Sequence, residues 1–437
     1  MPERRTIPIV PTEPDLKAAD HPGDASGATG GIGARAAAAS PGKPRRGMSD
    51  RLGLDLGKLK GLIPVARRHL EGELRDAAYV RTGGRVDITK PRRIYGILNE
   101  RCNLKCQGCD YWRLEHYVDE LPAAEWIRVL KEIKDFVGPF HINFSGGEPL
   151  LKKGLFDILN YCRDNEILAG MTTNAIILKD RQAAQLVEAK LFSLNVSLDG
   201  ATAATHDLQR GVKGSYAKVL RTIDLMKEHS AKTGIKVPIV IKPTVSRLNF
   251  REMPELVRMV AGMGVNGILF QPINDWGTEE IQDLWIRDVD SLRPVVDEIV
   301  AMKERGYPIL SADWHIRDWV RHFNKEPVSN TPDRLKRTGL ASPPPPAPAS
   351  VADPDGVQCW VGLTTMHIKT DGTVVNCHTL DPIGNVRNQS VRDIWHGEVG
   401  RQRRAQTVKC TIGCTENCTV KRTVRQSFQG AMQLLKI

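Results

Sequence analysis

Between residues 93 and 272 short apolar runs alternate with amphipathic stretches, and no other feature of the chain narrows its fold so far. The runs are 93–100, 140–144, 168–173, 192–198, 239–245 and 267–272, rich in Ile, Val, Leu and Phe and followed by polar residues, as buried strands are. Residues 122–137, 155–164, 181–189, 216–232 and 253–263 repeat apolar residues at helical spacing; in the first of these Trp126, Leu130, Ile133 and Val137 share a face. Strand–helix alternation is the pattern of a parallel sheet wrapped by helices. Six strands give an incomplete, laterally open barrel, so the expected fold class is α/β, a partial (β/α)6 TIM-like barrel. Functional residues of such barrels sit at the carboxyl ends of the strands.

Three cysteines, Cys102, Cys106 and Cys109, follow the first strand in the run Arg101-Cys-Asn-Leu-Lys-Cys-Gln-Gly-Cys-Asp110. A closed structural zinc site needs four protein ligands, and no fourth Cys or His stands at short spacing, so a metal held here keeps an open position. Thiolates are the usual ligands of iron–sulfur clusters, and three of them hold three irons of a four-iron cluster while the fourth takes an exogenous ligand. The second strand runs into Ser145-Gly-Gly-Glu-Pro-Leu-Leu151, where Gly146 and Gly147 allow a close backbone approach. Further strand ends carry Thr172, Thr173 and Asn174, then Ser197, Asp199 and Gly200. Caps and turns would use the same residue types. Arg210 follows in His206-Asp-Leu-Gln-Arg-Gly211, with a guanidinium suited to a carboxylate or to a surface ion pair. Lys242, Asn249, Gln271 and Asn274 are candidates for the substrate side, and no residue is singled out as catalytic. Cys162 lies in a helical pattern and reads as a small buried residue.

The C-x3-C-x2-C loop after a first strand, together with Ser145-Gly-Gly-Glu-Pro149 after the second, resembles the radical S-adenosylmethionine (SAM) superfamily from about residue 93 to the C-terminus. The resemblance implies that Cys102, Cys106 and Cys109 bind a 4Fe–4S cluster whose open iron is chelated by SAM. Reductive cleavage of SAM then gives a 5′-deoxyadenosyl radical that abstracts hydrogen from substrate. It implies SAM contacts at Gly146, Gly147, Glu148, Asn174, Ser197, Asp199 and Arg210, and a low-potential electron donor such as a flavodoxin or ferredoxin. Gly108 departs from the pattern, because relatives usually carry an aromatic residue before the third cysteine; Tyr111 or Trp112 is the substitute within reach.

The flanks are less regular. Residues 1–47 mix Pro, Gly and Ala with scattered charge and no periodicity, the composition of a disordered extension, and Met48 stands where patterned sequence begins. Arg4-Arg5 is followed by no apolar segment and does not read as an export signal. In the appendage 48–90, Leu59, Leu62, Ile63, Ala66, Leu70 and Leu74 recur at helical spacing among basic residues. A basic amphipathic helix can lie on a membrane, but packing against the barrel is the commoner use and is the expectation here. The net charge of +11 is not accompanied by a nucleic-acid motif, so no nucleic-acid partner is expected.

The barrel domain is expected over 91–330, a Pro-rich linker over 331–357 with Ser342-Pro-Pro-Pro-Pro-Ala-Pro348, and a cysteine-rich domain over 358–437. The last holds Cys359, Cys377, Cys410, Cys414 and Cys418, with a hairpin turning at Asp371-Gly372 between the first two. Four of these thiolates could ligate a structural zinc, or the cysteines could form disulfides. The hairpin resembles the auxiliary-cluster domains of radical SAM enzymes, called SPASM in the long form and twitch in the short. That implies a second 4Fe–4S cluster, for which five cysteines suffice once. The expected protein is thus a cytoplasmic radical SAM enzyme acting on a small molecule such as a sugar, aminocyclitol, lipid or cofactor precursor. The alternatives are a peptide-modifying maturase and a non-catalytic electron-transfer protein.

Overall fold

The computed structural model describes residues 56–114, 116–274, 281–324, 359–377 and 380–410, all within one compact unit, Met48–Ile437. The expectations for residues 1–47, for the linker 331–357, and for Cys414 and Cys418 lie outside the described residues.

The barrel strands are β1 (Arg93–Ile97), β2 (His141–Ser145), β3 (Leu168–Thr173), β4 (Ser193–Val196), β5 (Ile239–Ile241), β6 (Thr244–Val245), β7 (Gly267–Ile268) and β8 (Gln271–Pro272). They pair in parallel in the order β1-β2-β3-β4-β5-β7, with β6 paired to β8. The fifth and sixth strands, each expected to be continuous, are thus broken in two. At the first break Pro243 has no N–H to give the ladder. Bonds from Lys242 N to Val196 O and from Gln271 N to Pro243 O carry the pairing across the gap.

Along β1 and β2 every second residue is fully buried. Those residues face α2 (Ala123–Val137), whose Trp126, Val129, Leu130 and Ile133 are all inaccessible. Gly96 makes the contact possible, because a Cβ there would lie 2.9 Å from Phe144 and 3.0 Å from Trp126, whose rings meet edge to face. Burial of each such side chain is worth roughly 1.5–3 kcal/mol. The remaining wrapping helices are α3 (Leu155–Asp164), α4 (Asp180–Glu188), α5 (Ala203–Arg210), α6 (Ser215–Thr233) and α7 (Met253–Gly262). After the sixth strand come α8 (Ile281–Leu284), α9 (Val289–Glu304) and α10 (Asp313–Phe323). Cys162 is buried in α3, as expected.

The appendage forms one helix, α1 (Leu56–Arg81), packed against the segment that enters β1. Of the expected stripe, the side chains of Leu59, Leu62 and Ala66 lie outside what is described, and the other three are not on the packing face. Ile63, Leu70 and Leu74 are 57%, 58% and 69% exposed, while Val65, Arg68, Asp76 and Tyr79 on the opposite side are buried. The segment before β1 explains the inversion by presenting carbonyls and a guanidinium instead of apolar side chains. Arg68 donates to Pro91 O and Arg92 O at 2.8 and 3.0 Å, and Arg92 pairs with Asp76 and donates to His69 O. The Arg92 stem fills the space that a Cβ on Gly72 would need. Removal of residues 1–47 is expected to leave solubility and iron content unchanged. Removal of 1–78 leaves the Arg92 charge without its carboxylate, at a cost of roughly 3–5 kcal/mol, and should lower the melting temperature sharply.

The C-terminal part contains α11 (Val361–Thr364), β9 (Thr365–Ile368), β10 (Thr373–Val375), β11 (Gly384–Asn385), α12 (Val391–His396) and α13 (Glu398–Thr407). The expected hairpin is present: β9 and β10 are antiparallel, Gly372 has φ +89°, and Asp371 accepts from the Thr373 N–H and hydroxyl. It is not separate from the barrel, however. β9 adds in parallel to the free edge of β1, Arg93 opposite Thr365, giving a nine-stranded sheet. Trp395 Nε1 donates to Thr89 O, and Arg128 Nη2 to Val386 O, fastening the tail to the appendage and to α2.

Candidate active site

The chain leaves β1 into the cysteine loop, and the turn after β2 holds that loop. Gly147 N donates to Asn99 O at 2.9 Å, Glu148 N to Arg101 O at 2.8 Å, and Asn99 Nδ2 returns a bond to Glu148 O at 2.8 Å. A Cβ on Gly147 would lie 2.2 Å from Arg101 O, and one on Gly146, where φ is +149°, 2.5 Å from Asn99 O. The missing Cβ atoms therefore let the turn and the cysteine loop lie backbone to backbone. Farther along, Gln107 N donates to Gln209 O at the end of α5, and Trp112 Nε1 closes the loop on Cys106 O. Gly108 has φ +72°, and a Cβ there would lie 2.7 Å from Leu284 Cδ1. An aromatic side chain would be strained at that position.

Cys102, Cys106 and Cys109 are partly buried on this loop. Burial pushes all three thiols up, Cys109 to about 11; neighbouring sulfurs add to the effect at Cys102 and Cys109, and at Cys106 Arg210 opposes it while Asp199 adds to it. Polar groups surround them. Asn174 Nδ2 lies 2.9 Å from Asn103 Oδ1 and 3.7 Å from Cys102 Sγ. Arg210 Nη1 lies 3.8 Å from Cys106 Sγ, and its Nε forms an ion pair with Asp199 Oδ2 at 2.6 Å. Burial works against the Arg210 charge, but Asp199 and Cys106 outweigh it and its pKa rises.

Glu148 is completely buried and accepts from Leu150 N, Thr173 Oγ1 and Asn174 N at 3.0, 2.7 and 2.8 Å. It ties the end of β2 to the end of β3. Asp199 accepts from Thr244 N, and its own N–H donates to His206 Nδ1. Ser197 is half-buried, and no partner for its hydroxyl occurs among the described residues. Asn249 does not line the substrate side; it is buried and donates to Asp199 O and Thr244 O. Asn99, Asn103 and His206 belong to the site and were not singled out by sequence. His206 lies in the run quoted for Arg210, and Asn99 precedes the first cysteine by three residues.

Burial drives the His206 pKa from 6.5 to about 4, with Asp199 opposing the shift and Arg210 adding to it. The unfolded chain therefore takes up the proton first, and the stability from neutral His206 is complete above about pH 6.5 and lost as the pH falls toward 4. At roughly 1.4 kcal/mol per pH unit, going from pH 6.5 to pH 5 should cost roughly 2 kcal/mol. Denaturation midpoints across that range check this, and an unchanged slope in His206→Gln would exclude His206 as the cause.

In the C-terminal part Cys359, Cys377 and Cys410 pack together with Val361. Among the described residues no three Cys, His, Asp or Glu side chains converge as ligands of a single ion. Cluster ligands bind different irons and need not converge in that way. The barrel lumen is polar: Asn143 bridges Thr172 and Asn195, and the Tyr95 ring stacks on His367 of β9 at 4.7 Å.

The model of the Radical SAM superfamily matches residues 97–258, and that of the SPASM iron-sulfur cluster-binding domain matches 359–419. The AdoMet-dependent heme synthase of Methanosarcina barkeri is 30% identical over 318 residues, 72% of this chain and 85% of that protein. This chain belongs to the radical SAM superfamily. Radical SAM and SPASM domains imply SAM, its 4Fe–4S cluster and auxiliary iron–sulfur binding. The PqqA peptide cyclase of Methylocella silvestris is 23% identical, with 71% of this chain and 75% of that one aligned. Against the Fe-coproporphyrin III synthase of M. barkeri, 28% identical, the chain spans about half of the relative's length, 54%, and half of its own, 50%. The fold is shared with SuiB of Streptococcus suis, solved with S-adenosylmethionine, at TM-score 0.55 and 16% identity over 75% of this chain and 73% of that one.

Proposed function

We propose that Cys102, Cys106 and Cys109 hold the SAM-cleaving cluster and that this radical SAM enzyme abstracts a hydrogen atom from a small organic molecule. The donor set fits: three partly buried thiols share one loop, and burial disfavours their charge unless a cation joins them. When bound, the cluster supplies the electron that splits SAM into methionine and a 5′-deoxyadenosyl radical, which takes the hydrogen atom. Glu148 fixes the two strand ends beneath the cysteine loop, and Arg210 balances thiolate charge at Cys106. Ser197 has a hydroxyl left to offer a ligand. Cys359, Cys377 and Cys410, with Cys414 or Cys418, supply the auxiliary ligands.

The observation favouring a small molecule is the region before the barrel. Among the described residues it holds one helix and no strand, and the sequence of residues 1–92 carries no strand-rich pattern of the kind that peptide-recognition domains of maturases often show. The relative named as a heme synthase points to the same class. Similarity to peptide cyclases carries the second reading, a peptide maturase. Metabolites and peptides compared between a deletion strain and its parent decide between them: a small molecule accumulating in the deletion strain supports the first, and an unmodified peptide overturns it.

A further inference from the structure

Away from the cysteine loop, a concavity of about 560 Å³ lies where the loop after α1, the end of α2 and helices α12 and α13 meet. Arg85, Lys90, Arg392, Arg401 and His396 line it, with Phe136 and a single carboxylate, Asp87. Asp87 is already matched. The buried Arg404 guanidinium binds its Oδ2, with Nε at 2.9 Å, and the Thr89 N–H and hydroxyl donate to Oδ1.

The four cations find only neutral partners among the described residues. Arg85 Nε donates to Thr82 O at 3.1 Å, Lys90 Nζ to Phe136 O at 2.7 Å, and Arg401 to the His396 carbonyl. Arg392 and Lys90 each sit 5.3 Å from the centre of the Phe136 ring. The cations also disfavour one another: burial first, then Arg75, Arg392 and Arg68, lower the Lys90 pKa, with Glu71 in partial opposition. Like charges brought together from three parts of the chain cost stability unless an anion offsets them. Two guanidiniums from different helices suit the several acceptor oxygens of a phosphate. Phe136 and the half-exposed Ile88 add an apolar wall for the body of such a ligand.

We propose that this concavity is a binding site for a phosphate group, carried by a small molecule or by a lipid headgroup. The test titrates inorganic pyrophosphate calorimetrically into the reconstituted full-length enzyme, and in parallel sediments the enzyme with vesicles of phosphatidylglycerol or of phosphatidylcholine. Arg392→Glu and the double variant Arg392→Ala/Arg401→Ala are compared with wild type. Both positions are exposed and lie outside the SAM site, so 5′-deoxyadenosine formation should not change, and the melting temperature should hold or rise as like charges are removed. Saturable pyrophosphate binding weakened by about tenfold or more in both variants supports the site with a soluble ligand. Selective sedimentation with phosphatidylglycerol, lost in both variants, supports it with a lipid source. Equal binding by wild type and variants, or no binding of either probe by wild type, overturns it.

Discussion

Alanine at Cys102, Cys106 and Cys109 together is expected to abolish 5′-deoxyadenosine formation from SAM in anaerobically reconstituted, reduced protein. On the proposed assignment the loss should be complete, because the radical would form only at the cluster that these thiolates would hold. The loop itself should stay in place. It is fastened through the amides of Gly147, Glu148 and Gln107 and through the Asn99 side chain, none of which the substitutions touch. A melting temperature close to that of wild type freed of its clusters is therefore part of the expectation. Iron should fall from roughly eight to roughly four per chain. Undiminished 5′-deoxyadenosine from the triple variant would sink the assignment.

Replacement of Cys359 and Cys377 should separate SAM cleavage from turnover. On the proposed assignment cleavage needs the loop after β1, whereas these cysteines pack with Cys410 and Val361 at the start and end of the C-terminal hairpin. The variant is expected to keep roughly four irons per chain, to form 5′-deoxyadenosine unproductively, and to lose product. Stoichiometric zinc with iron for only one cluster, in protein purified without oxygen, would instead make the tail a structural module.

The barrel could be read from sequence because its strands are buried runs and its helices carry apolar stripes, and both patterns are local. Trp126 and Ile133 announced the face of α2 that packs. The same reasoning misassigned α1, since what docks there is Arg68 against carbonyls and Asp76 against Arg92, contacts no periodicity reveals. The cysteine spacing announced the site, and Glu148, Asn174, Asp199 and Arg210 do gather around it. What they touch was not readable: Arg210 spans Asp199 and Cys106, and Gly146 and Gly147 make room for the chain's own backbone. The union of β9 with β1 was equally hidden, because a strand pattern does not name its partner.

That union sets an order of events during synthesis. β1 launches the cysteine loop, but its outer edge meets β9 only about 270 residues later. At roughly 5–20 residues per second a ribosome takes roughly 15–55 s to cover that stretch. Through that interval the nascent barrel shows an unpaired row of backbone groups beside its cysteine loop, the kind of edge that invites wrong partners. The tail thus covers the free β1 edge of the open barrel, and a chain truncated before Thr365 would be exposed to aggregation whether or not its first cluster could assemble.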